Sequence, residues 1–390
     1  MKNVRFGIIG VGNMGSSHAA CLASGKIEGA ILTALCDIDE NRRNILSEKY
    51  PNAAIFADYK EMLSSGSVDA VIVSTPHPLH SEISVFAMQK GIDVLCEKPA
   101  DITAEKAAYS ASVAAKLGRK YAVMLNQRTN PLFQEAKKVV ESGELGELKR
   151  IVWIVTNWYR TQYYYDHGDW RATWKGEGGG VLMNQAPHNL DLWLWICGMP
   201  ERVFATCSAG KYHNIEVEDD VTVLAEYPNG ATATFITSTG EYPGTNRLEI
   251  TGDKGKLVIE GGKLKKWLLP QSERDFCFTS NDSTVDIKPE YSELSQTEQE
   301  SGHSGILQNF TKSILNGELL ISSGVDGIGE LIISNAAYLS AQKSKWIDLP
   351  FEYKKYSKFL KSKASKGIKK QQKNASKFHD SYSQRWKVNW

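Results

Sequence analysis

Apolar positions in the first 125 residues gather into short, mainly apolar runs, at residues 4–9, 31–36, 70–74, 92–96 and 121–125. Amphipathic stretches such as 78–90 and 103–117 separate them. Strand-length runs with no polar side, alternating with helices, predict a parallel, doubly wound sheet covered on both faces. After about residue 126 polar and apolar positions alternate instead, at 148–157 and 220–227. Asn229-Gly230 between two such segments is a hairpin signal, and further runs at 247–251 and 256–260 extend a mainly antiparallel, open sheet with one face available for association. Helical periodicity returns at 303–316 and 325–340. The expected fold is α/β over residues 1–126, a dinucleotide-binding Rossmann domain, then an α+β substrate and oligomerisation domain over 127–350, and a basic extension over 351–390.

A chain of 390 residues, 42% hydrophobic, has ample material for two cores, and its net charge of +1 gives no general nucleic-acid signal. The charge is unevenly placed. Residues 354–390 carry twelve Lys or Arg against the single acid Asp380, leaving the rest net acidic by about ten charges. A solvated helix and a tail lying on the acidic body account for this, and Trp386 and Trp390 favour docking of that tail. The six cysteines lack CxxC spacing, no 18-residue apolar segment occurs, and the first apolar run is only strand-length. These features point to reduced thiols, no membrane span, no signal peptide and a cytoplasmic setting.

The first run leads directly into Gly10-Val11-Gly12-Asn13-Met14-Gly15, which opens a helix near Asn13. Gly10 permits a tight turn, Gly12 lets backbone approach a pyrophosphate, and Gly15 allows close packing, while the helix start offers unpaired N–H groups to phosphate. The next strand ends at Asp37, placed to accept bonds from adenosine ribose hydroxyls and to repel a 2′-phosphate, which favours NAD over NADP. Arg42 and Arg43, just beyond, keep some NADP use open or sit on a solvated helix face.

Ligands of such sheets bind beyond the carboxyl ends of the strands. Two loops fall there. Ser74, Thr75, Pro76 and His80 lie on one and Glu97 and Lys98 on the other, and all are candidates for cofactor contact. A second cluster, residues 178–191, runs from three glycines through Asn184, His188 and Asp191, whose spacings of four and three share a face on a continuous helix. His188 is suited to proton exchange near neutral pH. Arg128, after the last apolar run, and Tyr159, Arg160 and His167 in an aromatic-rich segment are candidate substrate contacts, since ligand sites combine aromatic faces with a few placed polar groups, though the segment equally suits an ordered interface loop. Gly176 and the glycines at 178–180 suggest that this loop closes over substrate. No metal-ligand spacing is present.

The strings GIIGVGNMGSSH, STPHPLH, CEKP and GGGVLMNQAPHNLD, in this order, resemble the glucose-fructose oxidoreductase, inositol dehydrogenase and rhizopine-catabolism family, Gfo/Idh/MocA, over about residues 3–350. The resemblance implies hydride transfer between NAD(P) and a hydroxyl of a sugar or cyclitol, an EKP lysine (Lys98) acting with a DxxxH pair (positions 184 and 188), and a homodimer or homotetramer formed through the open sheet. This chain departs at Asn184, where many members have Asp. An amide cannot take up a proton, so positioning by hydrogen bond is what remains for residue 184. The expected mechanism has His188 removing the hydroxyl proton while Lys98 stabilises the alkoxide. A redox-assisted glycoside hydrolase, a carbonyl reductase running the site in reverse, and a non-catalytic dinucleotide sensor are the alternatives.

Overall fold

The computed structural model describes residues 3–168, 170–284, 287–296 and 301–367, so the tail holding Trp386 and Trp390 lies outside the described residues. Its first sheet is built from β1 (Val4–Ile9), β2 (Ala30–Cys36), β3 (Ala54–Phe56), β4 (Ala70–Val73), β5 (Asp93–Cys96) and β6 (Tyr121–Val123). These lie in the order β3-β2-β1-β4-β5-β6, and every adjacent pair is parallel. β4 is buried along its whole length, the physical reason for its unbroken apolar run. Strand order reverses between β1 and β4, which opens a crevice at their carboxyl ends. β3 went unseen in the sequence, being only three residues long and partly exposed.

The second sheet contains β7 (Leu148–Val155), β8 (Arg202–Ala209), β9 (Glu218–Glu226), β10 (Thr232–Ser238), β11 (Asn246–Gly252), β12 (Gly255–Glu260), β13 (Lys263–Leu268), β14 (Glu290–Ser295) and β15 (Ile347–Asp348). Their order is β14-β13-β12-β11-β7-β10-β9-β8-β15, antiparallel throughout except where β7 and β10 run parallel. The turn at Asn229-Gly230 joins β9 to β10 as expected, with Gly230 at φ +83° and the Asn229 side chain accepting from the Ala231 N–H. Val221, Val223 and Ala225 on β9 and Ala233 and Phe235 on β10 turn to the buried face. Trp193, from the helix Pro187–Cys197, stacks on Phe235 at 5.9 Å, and Phe133, from the helix Pro131–Glu141, packs on Trp153 at 5.9 Å. Each of these large side chains contributes roughly 2–3 kcal/mol by leaving water.

The chain does not stay on either side of residue 126. The helix Gly302–Asn316 returns to the first sheet, where Ile306, Leu307 and Phe310 share a core with Val4, Phe6 and Ile8. The helix Asp326–Lys343 then runs between the two units, against the helices Ala104–Leu117 and Pro187–Cys197 and the strand β8. Thr103 caps the helix Ala104–Leu117 by accepting from the Lys106 N–H. Ala104 N–H donates to Asn335 in the later helix, which ties the two units together.

Candidate active site

At the carboxyl end of β1 the backbone turns through Gly10 at φ +84°, and a Cβ there would meet the Ser74 carbonyl. A Cβ on Gly15 would collide with the Gly10 carbonyl oxygen, so the helix Asn13–Ala23 starts hard against the turn. Gly12 faces open space, and no side chain caps the helix that Asn13 and Met14 begin. Asp37 is buried. Its Oδ2 accepts from the Val11 N–H at 2.8 Å and from Arg42 at 3.0 Å, and its Oδ1 accepts from the Asp39 N–H. Arg42 and Arg43 are thus folded inward, Arg43 donating to the carbonyls of Asp37 and Ile38, rather than standing on a solvated face. Ser74 Oγ donates to the Gly10 carbonyl, and Thr75 Oγ1 is buried with no hydrogen-bond partner among the described residues. Open ground above Gly12, an unspent hydroxyl at Thr75 and a carboxylate at Asp37 fit a dinucleotide.

His80, expected at the cofactor, is used differently. It is 1% exposed, and its two ring nitrogens stand 2.7 Å from the carbonyl oxygens of Pro99 and Thr75, which clamps the two site loops together after Pro76 starts the turn His77–Leu79. Glu97 is likewise committed: its Oε1 contacts His18 Nε2 at 2.7 Å, joining the EKP loop to the dinucleotide helix. Burial pushes the Glu97 carboxyl up, but the His18 bond and the surrounding positive charge outweigh it and hold it at about 2. His303, which the sequence did not single out, lies edge-on to His18 at 5.8 Å, and burial lowers it to about 4.

Lys98 reaches across to the other cluster. Its Nζ donates to the backbone carbonyl of Asn184 at 2.8 Å. Burial lowers its pKa from the ordinary lysine value, opposed by Glu97, Glu330 and Glu177. The expected continuous helix through 184, 188 and 191 is broken: Val181–Asn184 is one short helix, and Pro187, at a first helical position where proline fits, opens Pro187–Cys197. That break exposes the Asn184 carbonyl to Lys98. His188 is 8% exposed, and its pKa lies well below the ordinary histidine value because of burial first and the charge of Lys98 second. The imidazole is therefore neutral at pH 7.

The glycines at 178–180 serve close packing. Added Cβ atoms would strike Ile102, the Tyr338 hydroxyl and the Glu218 carbonyl respectively. Glu218 anchors the run, its carboxylate accepting from the N–H groups of Gly180 and Leu182 and from Tyr338; burial raises it to about 7 despite those donors. This pinning contrasts with the loop closure expected from the glycines alone.

Arg128, expected at the substrate, is turned into the fold. It is 4% exposed and forms a two-pronged pair with Asp191 at 2.9 and 2.6 Å, with its third nitrogen 2.9 Å from Asp326. That pair engages both oxygens of Asp191, three residues after His188 on the same helix. His167 Nδ1 bonds the Tyr163 carbonyl of its own turn, Tyr159 packs on Tyr242, and Arg160 lies over Trp158 and Tyr164. From the aromatic segment it is Tyr164 and Arg171 that come to Asn184. Arg171 donates to the Tyr164 hydroxyl at 2.7 Å, and the Asn184 amide reaches the same oxygen at 3.4 Å. The buried carboxylate beside them, Glu177, escaped the sequence reading. The described residues contain no His/Cys/Asp/Glu group arranged to hold a metal, and no helix among them is long and apolar enough to cross a membrane.

Residues 4–125 match the model of an oxidoreductase family with an NAD-binding Rossmann fold, and residues 133–258 match the GFO/IDH/MocA C-terminal domain. The chain is 24% identical to inositol 2-dehydrogenase of Rhizobium meliloti (strain 1021), over 89% of this chain and 99% of that protein. It is 24% identical to levoglucosan dehydrogenase of Pseudarthrobacter phenanthrenivorans, over 90% of this chain and 99% of that protein. The crystal structure of the WlbA dehydrogenase from Bordetella pertussis, in complex with NADH and UDP-GlcNAcA, superposes with a TM-score of 0.76 at 26% identity, covering 90% of this chain and all of that one. Together with the Gly10 to Asp37 cradle and the meeting of Lys98 with the Asn184 turn, these likenesses establish that the chain belongs to the Gfo/Idh/MocA family of NAD-binding oxidoreductases.

Proposed function

We propose that this protein is a dehydrogenase that oxidises a ring hydroxyl of a sugar, glycoside or cyclitol, with NAD as the partner. The observation that carries the reading is the contact between Lys98 Nζ and the Asn184 carbonyl, which brings a half-buried cation and the neutral His188 to one end of the dinucleotide crevice. NAD supplies the hydride-accepting ring when bound. His188 takes the hydroxyl proton, and Lys98 steadies the negative charge that builds on the same oxygen. Asn184 fixes a neighbouring hydroxyl of the ring by hydrogen bond, and Glu97, locked to His18, keeps the lysine loop in register with the glycine turn. Gly10, Gly12, Asn13, Met14, Gly15, Ser74, Thr75 and Asp37 hold the cofactor.

Relatives that act on inositol and levoglucosan support the substrate class. The deciding experiment incubates purified protein with NAD, and separately NADP, against inositols, hexoses, levoglucosan and glycosides, following cofactor absorbance and product mass together. Reduced NAD with a product two mass units lighter is expected. Glycoside cleavage without accumulation of reduced cofactor, or firm NAD binding with silence across the panel, would overturn the reading. The same preparation should be a dimer or tetramer by light scattering, associated through the free face of the second sheet; a monomer would remove that part of the proposal.

A further inference from the structure

Glu177 sits between the aromatic segment and the first of the three consecutive glycines, and it is 1% exposed. Its Oε2 accepts from the Ala172 N–H at 2.6 Å. Its Oε1 accepts from the Asn184 side-chain amide, and Arg171 stands 3.9 Å from the same oxygen. Ala172 has φ +52°, a conformation rarely adopted by residues with a Cβ, and the bond from its N–H to Glu177 falls within that unusual turn. The Tyr164 hydroxyl closes the group, meeting Arg171 at 2.7 Å, Gln185 at 3.2 Å and Asn184 at 3.4 Å.

A side-chain amide has two faces: Nδ2 only donates and Oδ1 only accepts. At Asn184, Nδ2 is engaged by Glu177 and Tyr164, and among the described residues nothing donates to Oδ1. The carboxylate therefore decides which face of the amide is turned away from it. A carboxylate at 184 would meet Glu177 directly and lose this arrangement.

We infer that Glu177 is the positioning residue of the site, holding Asn184 by its NH2 group so that Oδ1 accepts a hydrogen bond from the substrate hydroxyl neighbouring the one whose proton passes to His188. The inference rests on the dehydrogenase reading above. Its consequence is a division of charge. The negative charge of Glu177 is engaged by Arg171, the Asn184 amide and a backbone N–H, while the residue offered to substrate is neutral and sets no further carboxylate beside Lys98.

Four proteins test it: the wild type, Asn184→Asp, Glu177→Gln and the double variant Glu177→Gln/Asn184→Asp. In Asn184→Asp two buried carboxyls share one site, and one of them must keep a proton. Its folded-state pKa then exceeds its unfolded value of about 4, so stability is lost as pH rises from about 4 until the folded carboxyl ionises. The expected result is a melting temperature close to wild type near pH 4 that falls increasingly below it toward neutral pH, with kcat at pH 8 reduced at least tenfold and partly restored at pH 6. In the double variant the amide introduced at position 177 donates to the carboxylate introduced at position 184; this protein should lose the pH-dependent drop and recover kcat to within about threefold of wild type. Glu177→Gln alone should lower kcat more than it raises KM, because it loosens the Asn184 amide without removing a binding group.

The ionisable groups facing Glu177 are Arg171, Lys98, Tyr164 and Tyr165, with His77 on its backbone carbonyl. They are common to all four proteins, so differences among the four report the introduced pair. Wild-type kcat and a flat melting difference in Asn184→Asp, or a double variant as impaired as the single one, would overturn the inference. Absence of wild-type turnover with every substrate in the panel would instead overturn the dehydrogenase reading, and the melting curves would still judge the pair.

Discussion

Arg128 and Lys98 occupy equivalent places, each in the loop that follows a strand of the parallel sheet, β6 for the arginine and β5 for the lysine. Their surroundings differ in one respect. The guanidinium meets two carboxylates within 3 Å, whereas the ammonium donates to a neutral carbonyl, that of Asn184, and the acids near it act through space. A buried cation with its countercharge in contact holds the fold together. A cation offered only a carbonyl keeps its field for something that has yet to arrive.

This contrast is most exposed to Arg128→Met, which strands Asp191 and Asp326. Unfolding free energy should fall by about 3–5 kcal/mol, read from denaturant curves. Lys98→Met should do the reverse: turnover drops by about 10²- to 10³-fold while NAD binding persists and the melting temperature does not fall. If Lys98→Met unfolds the protein, or Arg128→Met leaves stability intact while removing activity, the two roles have been exchanged.

Glu330 sharpens the picture next. It is 2% exposed, Oε1 has no hydrogen-bond partner among the described residues, and burial raises it to about 8, with Asp191 adding to the rise and Lys98 opposing it. A carboxyl raised above its unfolded value near 4.5 binds an extra proton in the folded state, so stability declines from about pH 4.5 until the folded carboxyl ionises near pH 8. Glu330→Gln should flatten that decline and gain about 2 kcal/mol at pH 8. Unchanged pH dependence of melting would mean the carboxyl is already ionised. The smallest effect belongs to Arg42→Ala. Its pair with Asp37 is partly solvated on the arginine side, so stability should change by less than about 1 kcal/mol, and the measurable consequence is an altered ratio of NAD to NADP affinity by calorimetry.

What the sequence made legible follows from the range of each constraint. Gly10, Gly15 and the turn at Gly230 were readable because a backbone conformation or a close approach dictates the residue locally. Lys98 was readable from its place directly after a buried strand. The pairing of Arg128 was not readable, because its partners lie 63 residues away at Asp191 and further still at Asp326, and nothing in a local pattern reveals a long-range pair. The break between Asn184 and His188 left a signal, Pro187, since proline at the start of a helix marks a new one. Glu177 and Glu330 left weaker ones: an acid pressed against a glycine run, and an acid embedded in an apolar helical stretch. The second sheet gave up its central hairpin, but not β14, whose residues are exposed on both faces and carry no alternation.

Phe6 and Phe310, whose rings meet at 6.2 Å, fix the order in which this molecule can be completed during synthesis. The strand β1 is made about 300 residues before the helix Gly302–Asn316, so one side of its sheet stays only partly covered until that helix emerges, on the order of 15 s to a minute later at ordinary elongation rates. For that interval Val4, Phe6 and Ile8 have Ala19 and Leu22 of the early helix in their core and lack the later one. A fragment ending near residue 126 would keep that surface partly uncovered permanently.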